Sequence, residues 1–151
     1  MNKKFEEFKQ QCLEGDGAKR LDTTAQKEEA ERFRNQSDYH LQAARDLLDG
    51  EASLIAIVEG YYSMLHKSNQ ALAHGGFKTS SHKRTLLGLR AVFQSSDLAR
   101  ELQKAMDERL NVDYYINPAK EDTKYTDPEK FIEQTTKPFL LETEERIKQE
   151  L

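Results

Sequence analysis

A chain of 151 residues with 33% charged residues, 36% hydrophobic residues and a net charge of −4 suits one domain of amphipathic helices. Seven Gly and three Pro are too few for the frequent turns of an all-β fold, and a single cysteine excludes an internal disulfide or a structural zinc site built on cysteines. No run approaches the roughly 20 apolar residues of a membrane span and no signal-peptide core is present, so we expect a cytoplasmic protein that does not bind membranes.

Apolar residues at helical spacing divide the chain into a short N-terminal appendage and a bundle. Phe5, Phe8 and Cys12 predict a helix over residues 3–13, so residues 1–22 are read as this helix and a polar linker, and residues 23–151 as the bundle. Further helices are predicted over 23–48, 52–74, 81–93, 97–115 and 128–151, with Pro138 expected to kink or split the last. The pattern predicts an all-α, antiparallel up-and-down bundle of four to five main helices plus the short N-terminal helix.

The segment between Glu59 and Asp97 carries no acidic residue. Its cationic residues and histidines are Lys67, Lys78, Lys83, Arg84, Arg90, His66, His74 and His82. This distribution predicts either a locally basic end of the molecule, suited to an anionic ligand, or an ordinary solvated face.

The helix over 97–115 carries two charges on its apolar stripe. Leu98, Leu102 and Ala105 continue at the same spacing to Arg109 and Asp113, which places both charges toward the core. Asp113 also lies near the helix C-terminus, where the helix dipole disfavours an anion. Two interpretations remain: a buried ion pair that fixes packing or a dimer contact, or a pair that faces a ligand or nucleic acid.

The central helix, 52–74, carries a narrow polar stripe formed by Glu59, Tyr62, Ser63 and His66. Buried polar groups require partners, so we predict a buried hydrogen-bonded network here and favour a packing role for His66 over a general base. The histidines show no metal-ligand spacing, and neither a phosphate-binding glycine loop nor a serine nucleophile motif is present. We therefore predict no metal and no cofactor.

Three blocks together resemble a known family. Tyr61–His66 (YYSMLH) resembles the "YYAMFH" signature of HEPN domains, and Lys78–His82 with a helix ending at Phe93 resembles that family's "KTHSG…F" segment. Arg109–Tyr114 (RLNVDY) resembles its "R-x-x-A-D-Y" element, and the blocks occur in order across about residues 26–151. The chain is thus similar to the HEPN domain family over most of its length.

The resemblance implies a helical bundle that commonly dimerises and a prokaryotic accessory or defence role. Many relatives are encoded beside a minimal nucleotidyltransferase as toxin–antitoxin pairs. Ribonuclease members use an Arg followed four to six residues later by a His, in a cleft at the dimer interface. Here no His follows Arg109, Tyr114 and Tyr115 occupy that place, and a tyrosine is a poor general base at neutral pH. Arg34 and His40 match the spacing, but on an early helix and on different faces of it.

Our first hypothesis is a homodimeric HEPN protein without the ribonuclease dyad, accessory to a nucleotidyltransferase, that binds nucleotide or RNA in a cleft near the dimer interface. The residues predicted to line this cleft are Arg109, Asp113, Tyr114, His82, Lys83 and Arg84. A second hypothesis is a metal-independent endoribonuclease toxin in which His82 serves as the missing histidine beside Arg109. A third is a non-catalytic homodimeric interaction module.

Overall fold

The fold is that of a computed structural model, which describes residues 3, 6, 7, 10, 17–116 and 127–151, without the side chains of residues 113–116. The predicted helix over 3–13, including Cys12, therefore lies largely outside the described residues. The elements in chain order are β1 (Ala18–Arg20), α1 (Thr23–Leu47), α2 (Ile55–His74), β2 (Phe77–Thr79), α3 (His82–Phe93), α4 (Asp97–Ile116), α5 (Pro128–Phe131), a π-helical turn (Ile132–Thr136) and α6 (Lys137–Glu150). Within the described residues the chain is an all-α bundle, as predicted.

Helix α2 is the centre of the bundle. It packs against α1, α3, α4, α6 and the π-helical turn. Ile57, Tyr61, Met64 and Leu72 have almost no exposed surface, which agrees with the nearly all-round apolar character of this helix. The core of the bundle is therefore built around the side chains of α2.

Side-chain caps begin three of the helices. The Asp22 carboxylate accepts the Ala25 amide N–H at 2.8 Å at the start of α1. Ser81 caps α3 by accepting the amide N–H of Arg84, and Asp127 caps α5 by accepting that of Lys130. The predicted helix start at Thr23 is confirmed.

Two short strands were not predicted. β1 pairs antiparallel with β2, with Ala18 opposite Thr79 and Arg20 opposite Phe77. Gly76 has a φ of 94°, and this left-handed residue turns the chain from the end of α2 into β2. Three-residue strands are too short to show an alternating pattern, so the sequence gives no sign of the pairing. The pairing attaches the linker to the junction between α2 and α3.

The last helix is split, as Pro138 predicted. Proline has no N–H for the carbonyl one turn earlier, and the turn before it widens into the π-helical segment Ile132–Thr136. This segment lies against Gly60 of α2, where an added Cβ would stand 2.6 Å from Ile132 Cδ1 and 2.7 Å from Thr136 Oγ1. A glycine is therefore required at position 60 for the two helices to approach this closely.

We expect Gly60→Ala to lower the free energy of unfolding by about 1–3 kcal/mol, because the methyl group overpacks a closed contact. Urea unfolding followed by far-UV circular dichroism measures the change. Gly50→Ala is the matched control, since its Cβ would have no neighbour closer than 3.8 Å. Equal stability of the two variants would contradict the close packing of α2 against the π-helical turn.

Candidate functional site

Two adjacent tyrosines of α2 hold an arginine of α4. Tyr61 is 1% exposed and Tyr62 is partly buried. The Cζ atom of Arg109 lies 5.5 Å from the centroid of the Tyr61 ring and 5.2 Å from that of Tyr62, within the range of a cation–π interaction. The apolar stripe of α4 therefore does carry Arg109 into the bundle.

Arg109 keeps hydrogen-bonding capacity in this position. Its Nη1 lies 3.6 Å from the Met106 sulfur, which is a weak acceptor. Its Nε is buried and has no hydrogen-bond partner among the residues that the structure describes. The guanidinium is thus oriented by aromatic faces, while its Nε–H remains without an acceptor among the described residues.

Tyr61 also binds His82, the first residue of α3. The phenol oxygen lies 2.7 Å from His82 Nδ1. Because the same ring carries Arg109 on its face, Tyr61 brings together two of the residues that the sequence proposed as a site, His82 and Arg109.

Burial affects the protonation of both Tyr61 and His82. Burial raises the pKa of Tyr61 to about 12, although the nearby Arg109 opposes the rise, so the phenol stays protonated and can donate to His82 Nδ1. Burial lowers the pKa of His82, while Gln103 and Asp107 favour its protonated ring. His82 Nε2 is buried and forms no well-aligned hydrogen bond within the described part of the chain.

A buried polar cluster fixes the start of α3. The Thr85 hydroxyl lies 2.7 Å from the Thr79 hydroxyl and 3.1 Å from the Asn69 side-chain oxygen on α2. It also lies 3.0 Å from the Ser81 carbonyl. These contacts join β2, the turn and α3 to the central helix, and so hold His82 against Tyr61.

Two other predicted ligand-binding residues, Lys83 and Arg84, make no described contact with Arg109. Arg84 lies over Gly17, where an added Cβ would meet its Nε at 1.9 Å, and Lys83 is exposed. A single cleft lined by all of these residues stays a prediction. Asp113 and Tyr114 belong to α4, and their side chains lie outside the description.

Two lysines of the segment between Glu59 and Asp97, which was expected to be basic, form ion pairs with acidic residues from other helices. Lys67 is 8% exposed and forms an ion pair with Glu144 of α6. Lys78 pairs with Glu29 of α1 at 3.3 Å. Acidic residues distant in sequence thus neutralise part of a segment that has none of its own.

The polar stripe of α2 faces α1. Ser37 and Ser63 each donate a hydroxyl hydrogen bond of 2.8 Å to the other's carbonyl, and both residues are buried. Glu59 lies 2.5 Å from His40 Nδ1. Ser63 and Glu59 are therefore satisfied across the interface with α1, whereas Nδ1 of His66 is buried without a hydrogen-bond partner among the described residues.

His66 completes this interface by stacking. Its ring lies 5.0 Å from that of His40 with an interplanar angle of 14°, and 6.1 Å from that of Phe33. His40 was not among the predicted site residues. Its position seven residues after Phe33, on the stripe that also carries Ser37, was the available signal for it.

Tyr62 connects the two groups of residues. Its ring centroid lies 5.6 Å from the His40 ring and 5.2 Å from the Arg109 Cζ. We call the resulting run of contacts the α2 belt; it consists of Phe33, His66, His40, Tyr62, Arg109, Tyr61 and His82.

Comparison with family models, curated proteins and solved structures finds no match for this chain. Across residues 17–116 and 127–151, no helix is both long and apolar enough to cross a membrane. In the same part of the chain, no group of three or more His, Cys, Asp and Glu side chains is arranged to hold a metal ion.

Burial makes the stability of the bundle depend on pH through His66. Burial is the main cause that lowers the pKa of His66 from 6.5 to about 4, and electrostatic interactions with His40 and Arg32 lower it further. In the unfolded chain the ring takes up a proton near pH 6.5, whereas the folded ring stays neutral down to about pH 4. Acidification between these values therefore destabilises the fold.

We expect the unfolding free energy to fall less steeply from pH 7 to pH 4 in His66→Phe than in the wild type. Phenylalanine keeps an aromatic ring between Phe33 and His40 but removes the titrating group. Urea unfolding at a series of pH values measures both slopes, and the ionisable groups that do not interact with His66 cancel in the comparison. Identical slopes would show that His66 is not held neutral by the fold.

Proposed function

We propose that this protein binds RNA or a nucleotide at the α2 belt, with the Arg109 guanidinium contacting a phosphate. The observation that carries the proposal is the position of Arg109 over two tyrosine rings, with an unpartnered Nε among the described residues. A planar guanidinium matches phosphate oxygens in a two-pronged geometry, and the rings reduce its freedom before the ligand arrives.

The tyrosines orient Arg109 rather than stack on bases. Tyr61 is 1% exposed and its hydroxyl binds His82, so its ring is not open to a base. The affinity for RNA should therefore come from the contact between Arg109 and a phosphate. For single-stranded RNA this predicts a weak salt dependence, with a logarithmic slope near −0.7 for each phosphate contacted.

The wider proposal is a cytoplasmic HEPN-type homodimer that is accessory to a nucleotidyltransferase. It is supported by the order of the three sequence blocks and by their places in the fold. The first block supplies Tyr61, Tyr62 and His66, the second forms the turn that positions His82, and the third supplies Arg109.

One observation favours a second function, an endoribonuclease that uses His82. His82 and Arg109 contact the same Tyr61 ring, as that hypothesis requires. However, Nδ1 of His82 is engaged by the Tyr61 hydroxyl and Nε2 is buried. A general base needs a ring nitrogen within reach of the substrate proton, so this arrangement favours binding over catalysis by His82.

We expect Arg109→Ala to weaken RNA binding by about 10- to 100-fold, the effect of losing a charged hydrogen bond of about 1.5–3 kcal/mol. Fluorescence anisotropy with a labelled single-stranded RNA measures the Kd. Arg100→Ala is the control, because Arg100 lies on the same helix but is exposed and pairs with Asp97 at 2.6 Å.

Equal affinities of the wild type, Arg109→Ala and Arg100→Ala would contradict the proposed site. If the wild type binds no RNA and Arg109→Ala changes only folding or oligomeric state, the interaction-module hypothesis would replace it. Circular dichroism and gel filtration of each variant distinguish these results.

A further inference from the structure

We propose that a cavity between α1 and α2 binds a small zwitterion with the chemistry of a free amino acid. We call it the α1–α2 cavity; its volume is about 380 Å³, within the range of small-molecule sites. The residues that line it are Lys27, Ala30, Glu31, Arg34, Gln70 and His74. None of them belongs to the α2 belt, so this inference goes beyond the proposed binding of RNA and does not depend on it.

A small residue opposite a glutamine forms the floor of the cavity. Ser37 of α1 meets Ser63 of α2, and the two helices run antiparallel. About two helical turns from this contact, Ala30 therefore lies opposite Gln70. The side chain of Ala30 ends at Cβ, so space remains between the two helices above the Gln70 carboxamide.

Gln70 is the buried polar group that points to a ligand in this cavity. It is 4% exposed, and its carboxamide oxygen is buried without a hydrogen-bond partner among the described residues. Buried amide oxygens normally have a donor, so a molecule in the cavity is the natural source of the missing one. A half-turn of the carboxamide exchanges its oxygen and its nitrogen in nearly the same space, which lets the oxygen meet a donor from the cavity side.

The rim of the cavity carries charges of both signs. Lys27, Glu31 and Arg34 are exposed along one side of α1, with the carboxylate between the two cations. None of the three forms an ion pair with another described residue. A simple anion would meet the Glu31 carboxylate as well as the two cations. A zwitterion instead gives each rim charge an opposite partner, with its carboxylate toward the cations and its ammonium toward Glu31 and Gln70.

The remaining groups near the rim add no further net charge at neutral pH. Partial burial lowers the pKa of His74, Glu144 opposes this shift and Lys67 adds to it, so the imidazole is neutral and offers one donor and one acceptor. Lys67 is neutralised by its ion pair with Glu144. The rim therefore carries one net positive charge, from two cations and one anion, which suits a single carboxylate better than a doubly charged phosphate.

The test is an NMR titration of isotopically labelled protein with individual L-amino acids that have uncharged side chains. Concentrations up to about 10 mM detect a Kd as weak as about 1 mM. We expect one or more of them to shift the amide signals of the residues that line the α1–α2 cavity, with saturation. The carboxamide of the same amino acid, which lacks the carboxylate, and its N-acetyl derivative, which lacks the ammonium, should each bind at least about 10-fold more weakly.

Three variants locate the binding site, and circular dichroism verifies that each is folded. Arg34→Gln removes a rim cation and Gln70→Leu removes the buried carboxamide, and each should weaken binding by about 10-fold or more. Ala30→Leu fills the floor without changing any charge and should abolish binding. Arg45→Gln is the matched control, because Arg45 is exposed in the last turn of α1, outside the cavity, and its loss should leave the Kd unchanged.

Several results would overturn the inference. One is the absence of shifts at the cavity residues with every amino acid tested. Another is equal binding of acetate or inorganic phosphate, which would make the cavity a simple anion site. A third is equal weakening by Arg34→Gln and Arg45→Gln, which would show a general effect of surface charge. Ala30→Leu should leave the affinity for RNA unchanged, so the failure of this inference and that of the proposed RNA binding are distinguishable.

Discussion

The Tyr61 side chain lies in the core with its ring against Arg109 and its hydroxyl against His82. A buried phenol needs a hydrogen-bond partner, and a partly desolvated guanidinium needs either an anion or an aromatic face. Tyr61 meets both needs at once, since the ring stabilises the cation and the hydroxyl binds the imidazole. The arrangement joins α2, α3 and α4 at one residue, and the rest of the site depends on it.

The position of Tyr61 depends in turn on the residue before it. Gly60 leaves room for Ile132 and Thr136 of the π-helical turn, which forms one turn before Pro138. A larger residue at position 60 would push the last helix away from α2 and change the surroundings of Tyr61. A proline in one helix and a glycine in another thus support the same packing, and that packing positions the side chains of the candidate site.

Much of this architecture could be predicted from the sequence, because helix caps, apolar periodicity and proline act locally. The starts of α1, α3 and α5, the split at Pro138 and the inward position of Arg109 all follow from residues within one or two turns. The pairing of β1 with β2 had no local signal, since each strand has three residues.

The candidate site was harder to predict because its contacts join residues that are distant in the chain. The contact of His40 with Glu59 spans 19 positions, and that of Lys67 with Glu144 spans 77. Helical periodicity shows which residues face inward, but not which residues of two helices meet. For this reason the stretch without acidic residues looked more basic than the surface it forms, and His40, which was weighed only for its spacing from Arg34, was not predicted as a site residue.

The most direct test is an NMR titration of isotopically labelled protein with a short single-stranded RNA, observing the Arg109 Nε–H and the rings of His40 and Tyr62. These signals should shift together and saturate at one ligand concentration, because all three groups belong to the α2 belt. Shifts confined to Lys27, Arg34 and His74, which line a separate cavity between α1 and α2, would show that RNA binds elsewhere and contradict the account.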